Sequence, residues 1–387
     1  MYTNTSGAQV IESWTYSYDD VGNRLTMTEN TAENTGNVAT YTYDSIYRLK
    51  SESYSSVGPT VNYTYDGVGN RFTEKRNGVR INYTYDADDR MTARGSTTYG
   101  WDDNGNMANE TTGGTTTTYE YDYENRLTEV SVAGNSAVEY TYGVQNNRMS
   151  REAGGVTTYY MYDFYDRQRL DDMVVEYNAT GTLQVRYVHG PDADETLARV
   201  GTSTRYYNAE AQGSTTSLTN STQTITTSYR YEAFGALRSQ AGSDTNDQLF
   251  TGHVRDSATS LYYSRTRWYQ ATIGRFTNDE PWRRTPEPSP YVYVLNNPAT
   301  LVDPDGLSAK GHIPRPSGNV IPSPCWPVPC IDGNGAGTGI DSFELSNAYW
   351  EGTGCGIPFP FPALMVQCAG CTFQHAFDWR SKWNLDT

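Results

Sequence analysis

Through most of the first 190 residues large and small side chains alternate one by one, and short clusters of Gly, Asn and Asp interrupt the alternation. A period of two marks a β-strand with one face turned inward, and the clusters mark turns. The pattern is clearest in aromatic pairs separated by one residue: Tyr16/Tyr18, Tyr41/Tyr43, Tyr63/Tyr65, Tyr83/Tyr85, Tyr119/Tyr121, Tyr140/Tyr142 and Tyr160/Tyr162. Both members of a pair share one face, and Thr commonly stands between them on the other.

These pairs belong to an internal repeat with a spacing of about 20 residues. It reads SYDDVGNRLT from Ser17, TYDSIYRLK from Thr42, TYDGVGNRFT from Thr64, TYDADDRMT from Thr84, GWDDNGNMA from Gly100 and EYDYENRLT from Glu120. Weaker copies are TYGVQNNRMS from Thr141 and MYDFYDRQRL from Met161. In each copy Asp opens a polar turn. Arg and an apolar residue, as in Arg24-Leu25, Arg71-Phe72 and Arg126-Leu127, then open the returning strand.

Each unit therefore reads as a β-hairpin, and a hairpin alone is marginal in water. The units must pair into one long antiparallel sheet, which twists and curls. The predicted fold class is all-β, a curled or spiral antiparallel sheet, with negligible helix before residue 307. Any helix is expected between Phe373 and Trp383.

Composition narrows the function. Aromatics make up 13% of the chain, 33 of them Tyr, so a mean hydropathy of −0.70 does not signify disorder. A net charge of −16 argues against nucleic acid as a general partner and against an anionic membrane surface. No apolar run is long enough to form a transmembrane segment. Residues Met1 to Tyr18 lack the basic start and apolar stretch of a signal peptide.

Between Tyr262 and Leu307 the repetition stops, Arg, Trp and Pro concentrate, and the stretch closes on Asp303-Pro304-Asp305-Gly306-Leu307. Aromatic-Asp units followed by Gly274-Arg275-Phe276 and this pentapeptide resemble the YD repeats and repeat-associated core of the Rhs (rearrangement hotspot) proteins. The same repeats occur in toxin-complex C subunits and in teneurins. The resemblance covers roughly Ser13 to Leu307 and implies a YD shell over 1–241, a core over 242–307 and a variable C-terminal region, the expected effector, over 308–387. Shells of that family wind more hairpins than are seen here, so an incomplete shell is expected.

The resemblance also implies self-cleavage between Leu307 and Ser308 by two carboxylates sharing a proton, with catalytic candidates Asp303, Glu280 and Arg267. Like-charge repulsion drives the two pKa values apart, so that one carboxyl serves as acid and the other as base. Asp303 holds the Asp of the DPxGL motif. Glu280 stands where the upstream motif has Asp, and its extra methylene displaces the carboxyl. Arg267 matches a family arginine that holds one carboxylate ionised. The same three residues equally fit a buried salt-bridge cluster that only fixes the end of the shell. The repeated Tyr-Asp pairs read as structural, since a site needs convergence at one place.

All five cysteines lie between Cys325 and Cys371. Cys368, Cys371 and His375 are zinc-ligand types, and the cysteines equally fit two disulfides with a spare thiol, or free thiols. A catalytic set of Cys371, His375 and Asp378 has only spacing in its favour. His189, His253 and His312 are isolated and read as packing or surface residues. No cofactor is called for. The function implied is a shell that contains and delivers its own C-terminal region, with a secretion-system component or a cell-surface glycan as outside partner and a secreted or cell-surface location. The alternative is a wall-associated or cell-surface adhesion or carbohydrate-binding protein without toxin activity.

Overall fold

The computed structural model describes residues 10–31, 35–163, 170–281 and 289–311. Twenty-two strands, from β1 (Ser13–Tyr18) to β22 (Leu237–Gly242), form one antiparallel sheet in which consecutive strands pair. Among the described residues helix is confined to two 3-10 turns, Phe250–Gly252 and Val294–Asn296. The regions expected to hold zinc ligands, disulfides or a helix, Cys325 to Trp383, lie outside the described residues.

The repeat builds each hairpin in the same way. The Asp of the turn accepts the backbone N–H two and four residues on: Asp66 Oδ1 takes Val68 N at 3.1 Å and Asn70 N at 2.8 Å. Asp19, Asp44, Asp86, Asp102 and Asp122 repeat this pair of bonds. The other carboxylate oxygen binds the side chain four residues on, Asn23, Arg48, Asn70, Arg90 or Asn106. Turn backbone that would otherwise be unpaired is satisfied locally.

A bulge falls just before the second aromatic of the pair, at Ser17/Tyr18, Thr42/Tyr43, Thr64/Tyr65, Thr84/Tyr85, Glu120/Tyr121, Thr141/Tyr142 and Met161/Tyr162. Each bulge adds right-handed twist, and repetition accumulates it into the curl. It also sets the register of the returning strand. The residue five positions after the Asp turns inward: Arg24, Leu49, Arg71, Met91, Met107 and Leu127 are all buried. The Arg and apolar residue that open the returning strand therefore do not take the same sides in every unit. In Arg24-Leu25 and Arg71-Phe72 the Arg is inside, and Leu25 and Phe72 face solvent; in Arg126-Leu127 the order is reversed.

A buried guanidinium is costly unless it is paired. Arg71 lies 4.5 Å from the centroid of Tyr63 and 4.3 Å from that of Phe234, with Glu74 at 3.8 Å. Arg24 stacks on Tyr16 and reaches Glu210. The inner aromatics also tie each unit to the one before: Tyr43, Tyr65, Tyr85 and Tyr142 donate their hydroxyls to the carbonyls of Arg24, Leu49, Arg71 and Leu127 at 2.6–2.9 Å. On the outer face Thr42–Ser51, Thr64–Thr73 and Thr141–Ser150 bond across the hairpin.

The sheet is open: among the described residues no ladder joins β1 to β22. Side chains nevertheless bring its first and last strands together. Arg76 forks onto Glu232 at 2.7 and 2.8 Å, Arg238 pairs with Glu29, and Ala233 N donates to Glu52 at 2.8 Å. Inside the curl lies a second sheet, β23 (Val254–Arg255), β24 (Tyr262–Ser264), β25 (Arg267–Gln270) and β26 (Arg275–Phe276). Its Tyr263 and Trp268 pack among the inner residues Tyr83, Met91, Leu127 and Tyr140, and each such side chain stabilises the fold by roughly 2 kcal/mol.

This inner segment also grips the hairpin turns. Arg275 bonds Asn70 Oδ1 and Asp89 O, Asn296 bonds Gly69 O, Tyr291 bonds Gly105 O, and Tyr263 bonds Asn146 O. The turn end of the wall is therefore where the chain beyond β22 is held.

Candidate self-cleavage site

The turn from Asp303 to Ser308 lies against the tight β24–β25 hairpin, and four successive residues of the hairpin bind four successive carbonyls of the turn. Ser264 Oγ donates to Asp303 O at 3.1 Å, Arg265 Nη1 to Pro304 O at 2.5 Å, Thr266 Oγ1 to Asp305 O at 2.6 Å, and Arg267 Nε to Gly306 O. Arg265 is itself fixed by Asp194 through two bonds of 2.9 and 2.8 Å. His253 is buried beside it, 3.2 Å from Ser264 Oγ and 3.4 Å from Pro304 O. Gly306 has φ +73°, and a Cβ there would come within 2.4 Å of Ser264 O, so only glycine fits.

Held this way, the turn folds back on its first carboxyl. Asp303 Oδ1 accepts Leu307 N at 3.0 Å and Ser308 N at 3.1 Å, so the nitrogen of the Leu307–Ser308 bond touches the Asp303 side chain. Leu307 N also reaches Asp305 Oδ1 at 3.2 Å. Burial pushes the Asp303 carboxyl up to about 7, against the opposing Arg267, and the bond and negative charge of Asp305 push the same way. Asp305 moves below its ordinary value: burial opposes this, but Lys310 at 2.8 Å and the bond from Asp303 prevail.

Arg267 and Asp303 are both buried, with Nη2 3.6 Å from Oδ2. The guanidinium also donates to Pro290 O at 2.8 Å and lies 3.5 Å from the Phe276 ring centroid. The structure thus brings Asp303, Arg267, Leu307 and Ser308 together. Glu280 is buried on the segment after β26, but none of the hydrogen bonds and ion pairs of Asp303 among the described residues reaches it. Asp279 lies against Gly105.

Sequence reasoning passed over Asp305 and the clamp of residues 264–266, and it read His253, buried here, as a packing or surface residue. Asp305 was visible as an acidic residue at the variable position of DPxGL. The clamp had a weaker signal, a run of hydrogen-bond donors, Ser-Arg-Thr-Arg, facing no known partner. Among the described residues no three His, Cys, Asp or Glu side chains are grouped to hold a metal, and no helix is long and apolar enough to cross a membrane.

The chain is similar to a tRNA nuclease and to several toxin proteins. It is 29% identical over 302 residues to the tRNA nuclease WapA of Bacillus subtilis, a match covering 75% of this chain and 11% of that protein. Shorter matches are to the toxin protein Tse5 of Pseudomonas aeruginosa, 40% over 58 residues, covering 15% of this chain and 4% of Tse5, and to the toxin subunit YenC2 of Yersinia entomophaga, 36% over 80 residues, covering 21% and 8%. The chain therefore spans a tenth or less of the length of most of these relatives. Among solved structures, the TcdB2–TccC3 complex matches with a TM-score of 0.63 at 21% identity, over 79% of this chain and 18% of that one, which establishes the fold. The family model for the teneurin YD-shell matches residues 2–296, and the chain belongs to that family.

Proposed function

We propose that this chain is part of a YD shell that encloses its own C-terminal region as an effector and severs it after Leu307. The observation that carries this reading is the 3.1 Å contact between Asp303 Oδ1 and the nitrogen of the Leu307–Ser308 bond. A carboxyl near neutrality in its titration, placed at a leaving nitrogen, is suited to general acid catalysis. In the reaction, water oxygen bonds to the Leu307 carbonyl carbon and gives one proton to an ionised carboxylate of the site. The C–N bond breaks and Asp303 gives its proton to the Ser308 nitrogen, leaving a carboxyl-terminal Leu307 and an amino-terminal Ser308. Arg267 holds the carbonyl of Gly306 and the Asp303 carboxyl in register. Glu280 occupies the family position of a second carboxylate.

The toxin relatives and the fold support delivery of a harmful cargo, with a secreted or cell-surface location and a secretion-system component as partner. Intact mass and N-terminal sequencing after incubation at pH 5 to 7 test the cleavage. A peptide beginning Ser308, absent from Asp303→Asn, is the expected result. A product beginning Pro304 would instead mark acid scission of the Asp303–Pro304 bond, and an intact chain would leave Asp303 structural. Growth arrest by the full chain, relieved by truncation after Leu307, tests the effector.

A further inference from the structure

We propose that Asp305, rather than Glu280, is the carboxylate that shares a proton with Asp303. This rests on the self-cleavage reading and names the partner that the reading leaves open. The contact made by one amide carries it. Leu307 N lies 3.0 Å from Asp303 Oδ1 and 3.2 Å from Asp305 Oδ1, so one amide brings both carboxyls to the same point. Two carboxyls brought to one buried point do not both stay ionised, because like charges repel there. Glu280, by contrast, enters none of the bonds of Asp303 among the described residues.

The surroundings decide which carboxyl keeps the proton. Asp303 is sealed in with Arg267 and the hydroxyl of Tyr293, whereas Asp305 has the Lys310 ammonium at 2.8 Å. His253 and the Arg265–Asp194 pair face the same turn through Pro304 O. The cation on Asp305 keeps that carboxylate ionised, and its negative charge keeps Asp303 in the acid form. Asp305 thus acts through Asp303, as a positioning residue. The turn makes this possible: Oδ1 of each Asp reaches the amide of Leu307 only because Gly306 reverses the chain between them.

The test is the pH profile of Ser308-peptide formation in the full chain. Wild type loses rate as pH rises through the titration of Asp303. Removing the Asp305 charge moves that limb to lower pH, so Asp305→Asn slows cleavage at pH 7 by about tenfold or more, and Asp305→Glu recovers part of it. A limb that moves in Glu280→Gln and stays in Asp305→Asn assigns the pairing to Glu280 and overturns the proposal. A second readout does not need cleavage. In chain carrying carboxyl-labelled aspartate, the carbon-13 signal lost in Asp303→Asn should titrate at lower pH in Asp305→Asn. If no Ser308 peptide forms but this shift is seen, the cleavage reading fails and the pairing stands. If the signal does not move, the pairing fails.

Discussion

The turn of a repeat hairpin and the turn at Asp303 are made with the same device and do different things. Asp86 accepts the amides two and four residues on, and Asp303 accepts those four and five residues on. Each has an arginine beside it, Arg90 at 2.7 Å in one and Arg267 at 3.6 Å in the other. Yet the Asp86 carboxyl sits below its ordinary range, because desolvation, the largest single influence, is outweighed by the Arg90 side chain and the amides of Arg90 and Asp88 together. Asp303 is almost fully buried, and desolvation dominates there. The comparison teaches that the same Asp cap titrates differently once the protein takes its carboxyl out of water.

Exchanging the same residue in both turns probes that difference. Asp303→Asn abolishes the Ser308 peptide, whereas Asp66→Ala leaves the cleavage rate unchanged and lowers stability by about 1–2 kcal/mol in chemical denaturation. A repeat Asp that proved necessary for cleavage would break the comparison. Next in size, Gly306→Ala drives its Cβ into Ser264 O and shifts the Leu307–Ser308 bond from the carboxyl, slowing cleavage by about a hundredfold in a gel time course. Gly69→Ala, at φ +88° with only Asn296 Nδ2 at 3.7 Å, costs about 1 kcal/mol and no cleavage.

The two turns also differ in pH response. The proposed cleavage uses the acid form of Asp303, so its rate should fall as pH rises through about 7. A buried carboxyl elsewhere, Glu52, follows the same sign in stability. Desolvation, then the charge of Glu232, raises Glu52 from its ordinary 4.5 to about 6. The folded protein therefore holds a proton that the unfolded chain releases. That contribution is fully present below about 4.5 and is lost as pH rises through about 6, so Tm should decline over this window, and Glu52→Gln should flatten the decline. The smallest effect is on the outer face: Thr64→Val removes the bond to Thr73 on the half-exposed side and changes stability by about 0.5 kcal/mol or less.

Much of the wall was legible because its determinants are local. Aromatic alternation placed Tyr41/Tyr43 and Tyr63/Tyr65 on one face, and the Asp and Gly of the clusters located the turns. What alternation could not supply was the register after each turn. The bulge before the second aromatic adds one residue to one strand, and a shift of one exchanges inside for outside. Hence Arg71 is buried and Phe72 exposed, while Arg126 stands in its turn and Leu127 is buried. At the site the sequence pointed to Asp303, Arg267 and the Leu307–Ser308 bond through a motif, and the structure gathers them. It passed over Asp305 because the motif treats that position as variable.

By itself, then, the sequence determined an antiparallel wall of Asp-capped hairpins, since each hairpin is specified within some twenty residues by period, turn chemistry and aromatic pairing. Only the tertiary structure decided the rest. It laid Ser264–Arg267 against the carbonyls of Asp303–Gly306, joined Arg76 to Glu232 and Arg238 to Glu29 across the open sheet, and buried Asp303 beside Asp305. The physical reason is that these pairings join residues far apart in the chain, and the dielectric around a carboxyl is a property of everything packed on it. Neither quantity has a period that a local reading can detect.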